Sequence, residues 1–139
     1  MDIKKLLEGK NLFTLAISFT VLLAWVSLAK FSSSVVKVKG GDKIGHFFAY
    51  FILTILWSLF FFFSKNQNKN LKQSLGIATV LCVFFGIMME LFQGILTTYR
   101  NSDWYDIIAN TSGTIFAIFI FILIKDKLIN FKQNNQITS

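Results

Sequence analysis

Four apolar runs, Leu12–Ala29, Ile44–Phe63, Leu75–Leu96 and Ile107–Ile124, take up most of this 139-residue chain. A helix rising about 1.5 Å per residue needs ~20 residues to cross ~30 Å of hydrocarbon, and each run is near that length. The runs are apolar nearly all round, so periodicity does not separate helix from strand. Length does, because open strand edges find no water in lipid to satisfy them. The expected fold is therefore all-α: an integral membrane bundle of four transmembrane helices forming one domain over residues 1–139. The connections have at most about fourteen residues, so sequential helices should pack antiparallel. Composition points the same way, since 54% hydrophobic residues with 17 Phe and no Pro is not the balance of a soluble domain.

A formal charge of +7 would suit a nucleic-acid binder, but the basic residues are scattered among short loops with no soluble module to present them, which excludes that partner. Membrane topology accounts for them better. Lys4, Lys5, Lys10, Lys65, Lys69, Lys72, Lys125, Lys127 and Lys132 fall on one side, against Lys30, Lys37, Lys39, Lys43 and Arg100 on the other. The positive-inside rule then places both termini and the loop from Ser64 to Ser74 in the cytoplasm. Ser27-Leu28-Ala29 resembles a leader cleavage site, yet the first run is longer than the ~7–15 residues of a signal core and reads as a retained span. Cys82, the single cysteine, lies inside the third run and reads as a buried structural thiol, with no disulfide or cysteine metal motif. The polar tail from Asn130 to Ser139 is expected to fray.

Polar residues inside the apolar runs mark a candidate site. An ionisable side chain at membrane depth costs roughly 2.5–3.5 kcal/mol on insertion scales, so Glu90, with Gln93 one turn on, needs protein or water around it. Asp42, His46 and Tyr50 stand at i, i+4 and i+8 where the second run begins. Asp106 and Asn110 stand at i and i+4 where the fourth begins. Antiparallel packing brings these sets and Glu90 to one membrane boundary, whichever way the bundle is oriented. Lys43, Arg100 and Asp103 belong to the same level. Arg100 is the only arginine beside 13 lysines, and a guanidinium fork grips carboxylate or phosphate bidentately where an ammonium does not. His46, the only histidine, is by its chemistry more often a structural hydrogen-bonding group than a ligand or base.

Small residues predict which helices meet. Gly86 and Gly94 flank Glu90, and Ala109, Gly113 and Ala117 repeat the four-residue spacing, so the third and fourth helices are expected to pack closely and set Glu90 beside Asn110. Trp25, Tyr99, Trp104 and Tyr105 are expected to form an aromatic belt.

Asp42-Lys43-x-x-His46-x-x-x-Tyr50-x-x-Leu53, then Gly86-x-x-x-Glu90-x-x-Gln93, then Arg100 followed by Asp106-x-x-x-Asn110-Thr111-x-Gly113 resemble the three signature blocks of the VanZ-like family of bacterial membrane proteins. Ala117 stands where many members carry a second glycine. The resemblance implies a small multi-span bundle in the bacterial cytoplasmic membrane, in a family named for a member linked to teicoplanin resistance. It does not fix a biochemical activity.

Three functions compete on these residues. The polar groups form a structural network that fixes the bundle. Alternatively, Arg100 and Lys43 engage the phosphate of an envelope lipid or a lipid-linked cell-wall precursor. Asp42, Glu90, Asp103 and Asp106 outnumber those two cations, so an anion is admitted only if a carboxylate is protonated or a divalent cation is held there. The third is transport or proton relay through Glu90 and His46, for which four helices would need oligomers or a large conformational change. No organic cofactor is expected, a nucleophilic triad is not supported, and a His46, Glu90, Asp106 metal set has suitable ligand types without diagnostic spacing.

Overall fold

The computed structural model describes residues 7–29, 40–65, 69–98 and 102–137, with the side chains of 135–137 outside that description. It contains α1 (Gly9–Leu28), α2 (Gly41–Phe63), α3 (Leu71–Leu96), α4 (Trp104–Leu123) and α5 (Lys125–Ile137), and no strand among the described residues. The first four are long and apolar enough to cross a membrane.

Local chemistry fixes where the helices begin. Gly40, at φ 85°, takes the left-handed conformation that opens α2. At α3, the Asn70 side chain accepts from the Gln73 N–H at 2.9 Å while the Gln73 side chain accepts from the Asn70 N–H at 3.2 Å. This reciprocal cap starts the helix before the apolar run does. Asp103 caps α4 by accepting from the Tyr105 N–H at 2.9 Å.

The core lies where α2 crosses α1 and α3, with Ala16, Leu53, Ala78 and Cys82 wholly buried around Tyr50 and Trp57. Buried hydroxyls and amides tie the helices across it. Thr54 Oγ1 donates to Thr114 Oγ1 at 3.2 Å between α2 and α4, Trp57 Nε1 donates to Thr20 Oγ1 at 3.2 Å between α2 and α1, and Gln93 Nε2 donates to the Ser27 carbonyl at 3.1 Å between α3 and α1. Large apolar side chains such as Val80, Phe84, Ile95 and Ile115 point outward, as a lipid-facing surface requires. Trp25, Trp104 and Tyr105 are also exposed, while Tyr99 lies outside the described residues.

Two expectations need correction. The small-residue faces do not simply join α3 to α4. Gly86 does face Asn110, but Gly113 lies against the α2 backbone at Phe47 and Phe51, and Gly94 lies under Ser102. The largest interface is accordingly that of α2 with α4. The polar tail, expected to fray, is helical through Ile137 as part of α5. The Lys132 ammonium donates to the carbonyls of Phe62 and Lys69, where α2 ends and α3 approaches, and the Phe131 ring meets Phe63 edge-on at 6.0 Å. A cation on the carboxyl end of α2 complements its dipole, and that docking orders a segment whose composition alone would not.

Candidate functional site

The start of α2, the end of α3 and the start of α4 meet at one end of the bundle. There Lys43 Nζ lies 2.7 Å from Asp103 Oδ2 and 2.9 Å from Asp106 Oδ1. The Lys43 hydrogen bond, aided by the Tyr105 N–H, holds the Asp103 carboxyl below the usual carboxylate range. A depressed folded-state pKa contributes stability that is present above the unfolded value and is lost only as pH falls through the folded one, so this clamp persists into mild acid.

Asp106 uses both oxygens. While Oδ1 accepts from Lys43, Oδ2 faces His46 Nε2 at 3.7 Å, and Asp42 Oδ1 faces the same nitrogen at 3.8 Å. His46 Nδ1 lies 3.0 Å from Asn110 Oδ1. An amide oxygen accepts, so Nδ1 carries the proton and, in the neutral ring, Nε2 presents a lone pair to two carboxylates. Asp42, His46 and Asp106 thus place three acceptor atoms within 4.8 Å of one another. Asp106 and His46 are largely enclosed, whereas the Asp42 side chain is 59% exposed and leaves one side of the group open.

Behind this group, Glu90 is 1% and Asn110 2% exposed. Glu90 Oε2 accepts from the Asp103 N–H at a long 3.4 Å, while Glu90 Oε1 and Asn110 Nδ2 have no hydrogen-bond partner among the described residues. Asn110 Nδ2 lies against Gly86: a Cβ there would stand 3.3 Å from it and 3.1 Å from the Tyr50 ring.

The sequence matches the VanZ/LLP1 family over residues 4–125. The chain belongs to that family. It is also similar to an uncharacterised protein of Schizosaccharomyces pombe, with 34% identity over 105 residues. Those residues are 76% of this chain and 60% of the yeast protein, so the chain spans less than two thirds of that relative's length. No solved structure matches.

Within this VanZ/LLP1 chain the structure brings Asp42, Lys43, His46, Asp103, Asp106 and Asn110 together, with Glu90 joined through the Asp103 backbone. Gln93 departs from them and turns to α1. Tyr50 lies in the core one turn beyond His46, its ring 6.1 Å from Phe85. Arg100 lies outside the described residues. The candidate metal-ligand set also changes: Asp42 joins His46 and Asp106, and Glu90 is turned to the α4 cap. Sequence reasoning set Ser102 aside as a nucleophile without motif context and missed its structural role: its Oγ donates to the Glu90 carbonyl at 2.8 Å and ties the start of α4 to α3. It also passed over Thr54 and Thr114. Their signal was present, because each continues the four-residue polar spacing of His46-Tyr50 and of Asp106-Asn110 into the apolar run.

Proposed function

We propose that this membrane protein of the VanZ/LLP1 family binds a phosphate-bearing lipid headgroup at the end of the bundle where α2 and α4 begin, through a divalent cation held by Asp42, His46 and Asp106. The convergence of their three acceptor atoms carries the reading. Direct phosphate binding by lysine is disfavoured, because Lys43 already serves two aspartates and four carboxylates crowd the region. A divalent ion inverts that local electrostatics. One imidazole with two carboxylates suits Mn²⁺ or Zn²⁺, and the 3.7 and 3.8 Å separations lie a few tenths beyond the ~3.4 Å between donors of a tetrahedral site with ~2.1 Å bonds. The open Asp42 side would admit a phosphate oxygen to the ion, and Arg100, which falls between α3 and α4 in sequence, would supply a planar fork. A relative in yeast favours headgroup chemistry common to many membranes over a single cell-wall precursor.

Titrating detergent-solubilised protein with Mn²⁺ should show one ion bound per chain. Binding of a short-chain phosphatidic acid should then require that ion, and should weaken about tenfold in Arg100→Lys, where charge remains and the fork is lost. Phosphatidic acid binding that survives EDTA would overturn the cation-bridged reading. Absence of Mn²⁺ binding would leave a second reading, a purely structural network, which the two Lys43 ion pairs support on their own.

The basic asymmetry supports a topology with both termini in the cytoplasm, which would put this site at the outer face of a bacterial membrane. In a Cys82→Ser background, Val38→Cys should react with an impermeant thiol reagent in intact cells and Asn68→Cys should not. The reverse pattern would invert the topology.

A further inference from the structure

At the opposite end of the bundle, the first turns of α3, the second half of α4 and the start of α5 line an open groove of about 570 Å³, within the ~300–1,000 Å³ of small-molecule sites. Its walls are apolar, formed by Gly76, Ile118 and Ile122 with Thr79, whose hydroxyl is bonded within its own helix to the Leu75 carbonyl at 2.8 Å. Lys72 and Lys125 stand at its edge. Gly76 keeps the groove open: nothing lies within 4 Å of where its Cβ would stand.

This combination selects an amphiphile. A wholly apolar occupant leaves two ammonium groups unanswered, and a soluble anion leaves the apolar wall unused. Lys72 and Lys125 form no ion pair among the described residues, and the first turn of α3 carries no acidic side chain. With Asp126 beside Lys125 as the one acidic neighbour in the first turns of α3 and α5, the edge is net positive, and the amino-terminal dipoles of α3 and α5 add the same sign while the carboxyl end of α4 opposes it. Basic pockets between transmembrane helices at a membrane boundary are suited to anionic lipid headgroups. We propose that this groove binds an anionic phospholipid, with its phosphate between Lys72 and Lys125 and an acyl chain along Gly76, Thr79, Ile118 and Ile122. The proposal is independent of the Asp42, His46, Asp106 site, which lies at the other boundary.

Native mass spectrometry of the full chain in detergent, titrated with phosphatidylglycerol or phosphatidylcholine of equal chain length, tests it. The unaltered protein should retain phosphatidylglycerol preferentially. Each lysine near an anionic headgroup is worth a factor of about five, so Lys72→Gln with Lys125→Gln should lower phosphatidylglycerol affinity about thirty-fold and bring it to the level of phosphatidylcholine. Gly76→Leu keeps both charges and fills the groove, and should weaken both lipids about tenfold or more without lowering the melting temperature. Lys65→Gln removes a basic charge away from the groove and should change affinity less than threefold. A lysine pair that matters no more than Lys65, or normal lipid retention by folded Gly76→Leu, overturns the proposal. A lipid-independent dimer that Gly76→Leu dissolves would overturn it too, by making a second copy the occupant.

Discussion

Gly113→Ala should destabilise the bundle by about 2–3 kcal/mol, although it adds one methyl group to a helix. The added Cβ would collide with the Phe47 carbonyl oxygen and stand 3.0 Å from its carbon and 3.1 Å from the Phe51 nitrogen. All three are backbone atoms of α2, so no side-chain rotation relieves the overlap and the helices must move apart. In lipid there is little hydrophobic gain between helices to offset that separation; association rests on close van der Waals contact and on interhelical hydrogen bonds such as Thr54 to Thr114. Gly45→Ala and Gly76→Ala are the controls, because nothing lies within 4 Å of either added Cβ. Each should be neutral or stabilising by up to about 1 kcal/mol, the helix preference of alanine over glycine. Unfolding in detergent with increasing dodecyl sulfate measures all three. A Gly113→Ala midpoint equal to those of the controls would show that the α2 and α4 interface does not depend on this approach.

The sequence located the spans because hydrocarbon thickness sets a length that any crossing helix must meet. It placed the ends less well. α3 begins at Leu71 and α4 at Trp104, ahead of the apolar runs, because Asn70 with Gln73 and Asp103 supply caps that hydropathy does not register. Small-residue spacing identified Gly113 as a close approach but not its partner, since a four-residue repeat says how near a neighbour comes and nothing of which neighbour it is. The same limit applies at the site. Four-residue spacing put Asp42 beside His46 on α2 and Asp106 in line with Asn110 on α4, but only the rotation of the helices against one another decides that Asp106, and not Glu90 of α3, closes the group around His46. Gln93 sits three residues from Glu90, on a neighbouring but not identical direction, which is enough to send its amide to Ser27. α5 was illegible for a different reason. Its order comes from Lys132 docking on carbonyls far away in sequence, which composition does not contain.

Asp106→Asn and Asp103→Asn separate metal ligation from charge balance, because both residues bond Lys43 and only one addresses His46. Each change removes one negative charge and leaves Lys43 one aspartate. Asparagine is as good a helix cap as aspartate, so Asp103→Asn still accepts from the Tyr105 N–H and α4 keeps its start. At position 106, by contrast, the amide offers His46 one weak neutral oxygen or an N–H donor in place of a carboxylate. If the ion is held as proposed, Mn²⁺ affinity in Asp106→Asn should fall at least about a hundredfold, loss of a direct ligand being costlier than the ~10–100-fold of an outer partner. In Asp103→Asn it should fall less than about tenfold, the effect of one charge at the far side of Lys43. Melting temperatures of the ion-free proteins should drop in both, and further in Asp106→Asn, since its carboxylate is enclosed where that of Asp103 is partly exposed. Equal losses of affinity would mean that Mn²⁺ senses only the summed negative charge, and would remove Asp106 from the ligand set. A larger loss in Asp103→Asn would move the ion from His46 to Asp103.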